Sequence, residues 1–469
     1  MKTVSFHNLG CKVNSYEMEV MQQNFIKSGY TIVPFDSKAD VCVINTCTVT
    51  NIADRKSRQM LHRARKLNPK AVLVAVGCYV QSLAQNDKTG RHDLYMLKDE
   101  GIDLCIGNDR KNMIVEVVEG YIAAGKNAGC DRTLNLTDTV TDMKNVCTYE
   151  DMQLESTVEH VRAYIKIQDG CDQFCTYCAI PYVRGRVRSR DVQSVIKEIE
   201  GLVKNGYREF VLTGIHVSSY GINHSEGDKP YNVLTQDADY TNHALLDLID
   251  RISAIDGVER IRLSSLEPRV ITDEFLKHIS SNAKICPHFH LSLQSGCDDT
   301  LKRMNRRYTT DEYLKKVSLV RKYYDSPAVT TDIITGFPGE DEEEFARTVE
   351  FVKRVGFYET HIFKYSKRKG TVAAGLPKQN TEAVKQSRSA VLADINERNG
   401  LAYRKAHIDK KIRVLIEEAK EIKGVTYMVG YTDDYVMAAF REDIKPGEIV
   451  TGTAVDMIDE QTLLARPAQ

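Results

Sequence analysis

Gly170-Cys171-Asp172-Gln173-Phe174-Cys175-Thr176-Tyr177-Cys178, running on into Ala179-Ile180-Pro181-Tyr182-Val183-Arg184-Gly185, places three cysteines at a C-x3-C-x2-C spacing. The alternating apolar run Val161-Arg162-Ala163-Tyr164-Ile165-Lys166-Ile167 before it predicts a strand that delivers the loop. Three thiolates this close together can converge on one small object. They are one fewer than the four that complete an iron–sulfur cluster, so a [4Fe–4S] cube held here keeps one iron open to a reactive ligand. Structural zinc is the rival reading. It needs a fourth ligand to close its tetrahedron, and no His or Cys lies close by to supply one.

Working outward, strand-like and helix-like segments alternate six times from residue 158. Strand candidates are 161–168, 209–213, 260–264, 288–293, 328–334 and 359–365, with amphipathic helices such as 191–205, 244–255 and 342–355 between them. Six units running in one direction with right-handed crossovers make an open, partial parallel barrel, (β/α)6, whose working residues belong at the carboxyl ends of its strands. The cysteine loop, with the aromatic Tyr177 before its last cysteine, resembles the signature of the radical S-adenosylmethionine (SAM) superfamily. In that superfamily the open iron chelates the amino and carboxylate groups of SAM, and one electron cleaves the sulfonium to a 5′-deoxyadenosyl radical. The resemblance implies cofactor contacts at polar strand ends. Gly214 lies near the SAM amino group, Ser264, Ser265 and Glu267 near its ribose or methionine end, and Ile334–Gly336 near the adenine. Gln294 ends the fourth strand, and Arg306 is placed to pair with the SAM carboxylate or with an RNA phosphate. The plain alternative is that these are loop formers, as Pro338 and Gly339 equally are. His288 and His290 alternate on one strand and so share a face, plainly read as packed polar residues in the barrel interior.

Upstream, strand-like runs at 3–9, 41–45, 71–76 and 103–106 alternate with helical patterns at 15–28, 54–67 and 111–122, which predicts an open α/β sheet. Cys11, Cys47 and Cys78 each follow a strand by one or two residues. Ligands of such sheets bind beyond the carboxyl ends, so the three converge on a second three-thiolate site. Cys42 and Cys105 lie inside strands as core residues. The polar stretch 125–157 reads as a linker, and neither Cys130 nor Cys147 within it is assigned a metal. Downstream, a helix over 381–406 leads to five short strands at 411–418, 424–431, 435–440, 448–457 and 462–466, an OB-like barrel resembling the RNA-binding TRAM module. The predicted domains are 1–122, a 123–157 linker, a 158–388 core, and 389–469 for the linking helix and the TRAM-like module. An acidic segment near 222–243 reads as a surface insertion.

The 469 residues, 42% hydrophobic and 28% charged, suit a soluble protein of two or three domains. No run has the length of a membrane span, and the N-terminus lacks a signal-peptide core, so a cytoplasmic setting is expected and the 12 cysteines read as ligands and buried hydrophobes. The net charge of −1 hides three basic runs: residues 55–70, the row Arg184, Arg186, Arg188 and Arg190, and the group Arg404, Lys405, Lys410, Lys411 and Arg413. Three such runs in a balanced chain favour RNA, with Lys405, Lys410 and Lys411 and the arginine row as contacts.

Two cysteine triads and a TRAM-like tail together resemble the methylthiotransferases over essentially the whole chain. Asn8-Leu9-Gly10-Cys11-Lys12-Val13-Asn14-Ser15-Tyr16-Glu17 and Asn45-Thr46-Cys47-Thr48-Val49-Thr50 are most similar to the bacterial branch that adds methylthio to C2 of N6-threonylcarbamoyladenosine beside the tRNA anticodon. The resemblance implies two [4Fe–4S] clusters, SAM, a tRNA anticodon stem-loop as partner, and an electron donor such as flavodoxin or ferredoxin. It leaves sister activities open, on isopentenyladenosine or on a ribosomal-protein aspartate, and a zinc-clamped RNA-binding protein stands as the non-enzymatic alternative.

Overall fold

Two strands explain the N-terminal layer. Val41–Thr46 and Val72–Gly77 are buried along their whole length, the continuous apolar signature of parallel strands covered on both faces. In the computed structural model, which describes residues 2–85, 101–124, 139–157, 161–222 and 239–468, they form the centre of a five-stranded parallel sheet. Its strands are β1 (Lys2–Asn8), β2 (Tyr30–Val33), β3 (Val41–Thr46), β4 (Val72–Gly77) and β5 (Leu104–Ile106), in the order β2-β1-β3-β4-β5. The short edge strand β2 went unread in the sequence because four residues before a proline carry little periodicity. Helices α1 (Lys12–Lys27), α2 (Asn51–Leu67), α3 (Cys78–Gln85) and α4 (Ile114–Ala123) flank the sheet.

The central region is the expected open barrel. Strands β6 (Ala163–Asp169), β8 (Glu209–Gly214) and β9 (Arg260–Leu263) pair in parallel, with the two-residue β7 (Arg188–Ser189) antiparallel at the β6 edge. Strands β10 (His288–His290), β11 (Ala328–Thr335) and β12 (Glu359–Lys364) form a second parallel group. Parallel bridges Ile261–Ile285 and Leu266–Leu291 join the two groups. Between the strands run α5 (Ile180–Arg184), α6 (Val192–Lys204), α7 (His243–Ser253), α8 (Asp273–Ser280), α9 (Asp298–Arg303), α10 (Thr310–Tyr323) and α11 (Glu342–Val355). Alternation sorts the strand faces: Phe289, Leu291, Val329 and Ile333 join the buried core, so His288, His290, Thr330 and Asp332 face the lumen.

Helix α12 (Glu382–Lys405) carries the chain to the closing barrel of β13 (Lys411–Ile422), β14 (Val425–Thr432), β15 (Met437–Phe440), β16 (Ile449–Met457) and β17 (Thr462–Pro467). The order β13-β14-β15-β17-β16, antiparallel except for β15 with β17, is the topology of a five-stranded OB barrel. This module is bonded to the base of the central barrel. Arg260 donates to the carbonyls of Tyr431 and Arg413, and Arg262 to those of Thr432 and Asp433, with Glu209 balancing both guanidiniums.

Part of the stretch read as a linker does structural work. Met143, Val146, Met152 and Leu154 are buried, and the last two join the core shared by both α/β layers. Cys130 and most of the acidic segment near 222–243 lie outside the described residues.

Candidate functional site

The cysteine loop leaves β6 at Gly170, whose φ of +73° and crowding demand glycine: an added Cβ would sit 1.8 Å from the Arg186 carbonyl oxygen. Its course is set by backbone bonds. Cys171 N–H donates to Gly185 O at 3.1 Å, Thr176 N–H to Met304 O at 3.1 Å, and Cys178 N–H to Cys175 O at 2.9 Å. Asn305 Nδ2 donates to the carbonyls of Gln173 and Phe174. Burial, together with the neighbouring thiols Cys175 and Cys178, pushes the Cys171 thiol far up. Burial and Cys175 push Cys178 up to about 12. Buried thiols side by side suit a cationic cluster, whose charge deprotonates them on binding. Gly170→Ala is therefore expected to lose most of its bound iron at this site, measured as iron and sulfide per chain after anaerobic reconstitution. Iron content equal to that of the wild type would refute this account of the loop.

The second triad forms at the sheet edge because the register aligns the strand ends. Asn8 pairs with Asn45, Asn45 with Val76, and Thr46 with Gly77. Gly10, at φ +123°, turns β1 into α1, and a Cβ there would meet Asn14 Nδ2 at 2.7 Å and Cys47 Cβ at 3.3 Å. Asn14 fixes this turn by donating to Leu9 O and Thr46 O at 2.8 and 3.1 Å. Cys47 and Cys78 are buried and Cys11 is exposed, so the triad opens on the Cys11 side. Burial, Cys78 and Cys11 push the Cys47 thiol up to about 12. Asn108, just past β5, donates to Cys78 Sγ at 3.5 Å.

The structure joins the two triads through a buried ionic network that sequence reading missed. Arg184, six residues after Cys178, contacts Glu17 at 2.8 Å, Asp169 at 3.1 Å and Asn14 Oδ1 at 2.8 Å. Lys166 contacts Glu17 and Asp169, each at 2.7 Å, and Lys111 also pairs with Glu17. Glu17 lies six residues after Cys11, and Asp169 two before Cys171. Although burial raises both carboxyls, Arg184 and Lys166 hold them well below the usual carboxylate range. The available signal was Glu17 itself, a carboxylate among the buried α1 residues Val13, Tyr16, Val20 and Met21.

This network corrects the reading of the arginine row as an RNA surface. Arg184, Arg188 and Arg190 are buried. Arg188 donates to the Arg184 and Arg186 carbonyls, and Arg190 pairs with Glu198 and donates to Met152 O at 2.8 Å. Arg186 is half-buried and clamps Asp172 within the cysteine loop at 2.9 and 3.2 Å. The physical reason is that the row edges β6 beneath α1 and the 139–157 segment, where carboxylates distant in sequence meet it. Lys405, Lys410 and Lys411 are exposed.

The other candidates lie in the central barrel. Tyr177 packs edge-on against Phe337 at 6.3 Å, beside Ile334. Gly214 lets β8 approach Gln168, where a Cβ would lie 2.9 Å from Oε1. Ser264 is buried, and its Oγ has no hydrogen-bond partner among the described residues, an orphan that suits a ligand. Ser265 is exposed. Glu267 is buried, pairs with Arg269 at 2.8 Å and caps the turn that follows. Gln294, at φ +71°, bridges to Ile333. Gly336 packs against Lys385 of α12. Arg306 is placed against the cysteine loop, donating to Cys175 Sγ at 3.3 Å and to Ser292 O at 3.2 Å.

Known proteins match these features. Residues 165–352 match the Radical SAM superfamily, and residues 3–96 match Uncharacterized protein family UPF0004. The threonylcarbamoyladenosine tRNA methylthiotransferase MtaB of Bacillus subtilis (strain 168) is 39% identical over 94% of this chain and 91% of its own length. That of Aquifex aeolicus (strain VF5) is 36% identical over 91% and 95%. The chain belongs to the radical SAM methylthiotransferase family. A sister member, the tRNA-2-methylthio-N(6)-dimethylallyladenosine synthase of Clostridium novyi (strain NT), is 33% identical over 87% of this chain and 84% of its own. The radical SAM methyltransferase TsrM from Kitasatospora setae superposes with a TM-score of 0.54 over 77% of this chain and 73% of that one, at 14% identity, a likeness of fold. As a methylthiotransferase the chain is an enzyme, and no helix among its described residues is long and apolar enough to cross a membrane.

Proposed function

We propose that this methylthiotransferase adds a methylthio group to C2 of N6-threonylcarbamoyladenosine at position 37, beside the anticodon of tRNA, in the cytoplasm. The reading rests on one observation: two three-thiol sites at the carboxyl edges of two parallel sheets, tied together by Arg184, in a chain whose relatives at 39% and 36% identity carry that activity in their names.

Cys171, Cys175 and Cys178 would hold a [4Fe–4S] cluster with an iron left for SAM, and Cys11, Cys47 and Cys78 a second. When bound, these groups supply the one-electron and sulfur chemistry that an adenine C2–H, inert to acid–base catalysis, requires. The protein supplies position and charge. Arg306 brings a guanidinium to Cys175, Arg186 holds Asp172 in the loop, and Glu17, Arg184 and Asp169 fix one triad relative to the other. Gly214, Ser264, Ser265, Glu267, Gln294, Ile334 and Gly336 line the SAM side, with Tyr177 packed behind the loop. An electron donor such as flavodoxin or ferredoxin completes the system.

The deciding experiment incubates bulk tRNA with the reconstituted enzyme, SAM and a strong reductant, then measures nucleosides by mass spectrometry. Methylthio-threonylcarbamoyladenosine is expected; methylthio on the dimethylallyl nucleoside alone would sink the proposal.

Lys405, Lys410 and Lys411, at the junction of α12 and β13, are proposed to grip the anticodon stem-loop. Changing all three to glutamine should weaken tRNA binding and flatten the log K against log salt slope by about 2–3, because three fewer counterions are released. An unchanged slope between about 50 and 200 mM salt would return them to an ordinary solvated face.

A further inference from the structure

Below the cysteine loop, the lumen of the central barrel holds a polar cluster that neither thiol site uses. His290 Nε2 lies 3.2 Å from Asp332 Oδ2, and His290 Nδ1 lies 3.0 Å from Thr330 Oγ1. His361 pairs in register with Asp332 across β11 and β12, and its ring stacks with that of His290 at 5.7 Å. One ligand-type atom from each of His290, Asp332 and His361 falls within 4.8 Å of the others. The side chains open progressively toward solvent, at 11% exposure for His290, 28% for Asp332 and 45% for His361. A cluster that served packing alone would close over its polar atoms; this one presents them.

Its position relates it to both triads. Ser292, two residues along the chain from His290, accepts the hydrogen bond of Arg306, whose other terminal nitrogen reaches Cys175. Two residues of extended chain span about 7 Å, so the cluster lies one layer beneath the Cys175 loop. From the other side Lys12, adjacent to Cys11, acts electrostatically with Asp332 and with His288. A base presented to both thiol sites would point a substituent of several ångströms into this layer. Adenine C2 and C6 flank the same ring nitrogen, N1, and N6 is attached to C6, so holding C2 at the reaction centre also fixes where the N6 group goes.

We propose that Asp332 and His361 read the N6 substituent of the modified adenine, with His290 as the positioning residue that orients Asp332, and that this polar trio selects threonylcarbamoyl over an apolar prenyl group. The inference rests on the functional reading above. Threonylcarbamoyl carries a urea-type N–H and a hydroxyl, which a carboxylate accepts, and a carboxylate, which a histidine N–H and a nearby lysine attract. A dimethylallyl group offers none of these and would leave Asp332 desolvated with His290 as its one remaining partner among the trio. Sites built to hydrogen-bond a substrate group reject analogues lacking it far more strongly than apolar pockets reject an extra methylene.

The test uses the full chain with its clusters reconstituted and fluorescently labelled anticodon stem-loop RNAs carrying threonylcarbamoyladenosine, dimethylallyladenosine or plain adenosine at position 37. The wild type is expected to bind the first at least about tenfold more tightly than the second, within the range such contacts deliver. His361→Leu, at an exposed position that should not disturb folding, and Asp332→Asn should each shrink that preference by about tenfold or more while binding of the plain loop holds. His290→Gln should shrink it less than Asp332→Asn does. Full preference retained in both the His361 and Asp332 variants would overturn this inference alone. A wild type that binds the dimethylallyl loop as well as the threonylcarbamoyl loop would overturn the functional reading with it. One equivalent of zinc bound by the wild type and lost in His361→Leu would assign the trio to a metal and also overturn the proposal.

Discussion

Cys175→Ala is expected to abolish reductive SAM cleavage and methylthiolation together, whereas Cys78→Ala should abolish only the methylthio product. Cys175, in the loop beyond β6, accepts a hydrogen bond from the Arg306 guanidinium, and its loss strips a ligand from the cluster proposed to bind SAM. Cys78 begins α3 at the edge of the other sheet, where it accepts from Asn108. Both substitutions fall beyond the strands of their sheets and replace one small side chain by another, so folded protein is expected from each. The measurements are 5′-deoxyadenosine release under strong reductant and methylthio-nucleoside by mass spectrometry. Full product from Cys78→Ala would remove the N-terminal triad from the sulfur chemistry. Loss of SAM cleavage in a well-folded Cys78→Ala protein would show that the two sites do not act separately.

The second large effect concerns the charge network between the triads. Arg184→Met should destabilise the chain by about 3–5 kcal/mol, the usual consequence of removing one partner of a buried ion pair. That is a large part of the ~5–15 kcal/mol by which a domain is stable. Lys166 and Lys111 remain to offset Glu17, but nothing replaces the guanidinium that spans Glu17, Asp169 and Asn14. Adding Glu17→Gln to Arg184→Met should recover part of the loss, because contacting residues are non-additive. The pH dependence has a definite sign. Glu17 and Asp169 have folded pKa values below their ordinary 4.5 and 3.8, so their stabilisation is fully present above those values and is lost as pH falls through the lowered folded ones. Denaturation midpoints of cluster-free protein should therefore hold down to about pH 4 and drop below it, with a shallower acid limb in Glu17→Gln. Identical acid limbs in the two proteins would show that Glu17 is not held ionised.

Local pattern carried much of this protein. Cys171, Cys175 and Cys178 lie within eight residues, so their meeting is a matter of loop geometry. The fully apolar β3 and β4 announce a parallel sheet, and parallel register then aligns Cys11, Cys47 and Cys78 without any long-range guesswork. The five strands of the terminal barrel were legible from alternation and turns. Where function turns on a partner far away in the chain, the same reading failed. Arg184, Arg188 and Arg190 have the sequence look of a basic surface, yet they are buried because Glu17, Asp169 and Glu198 reach them from three different elements. Alternation alone places His290 in the barrel interior, but Asp332 and His361 carry no signal until pairing between β11 and β12 sets them side by side. A side chain's type is written in the chain, but whether its charge meets water, a phosphate or a buried carboxylate depends on which distant segment packs over it, and that is settled only when the layers close.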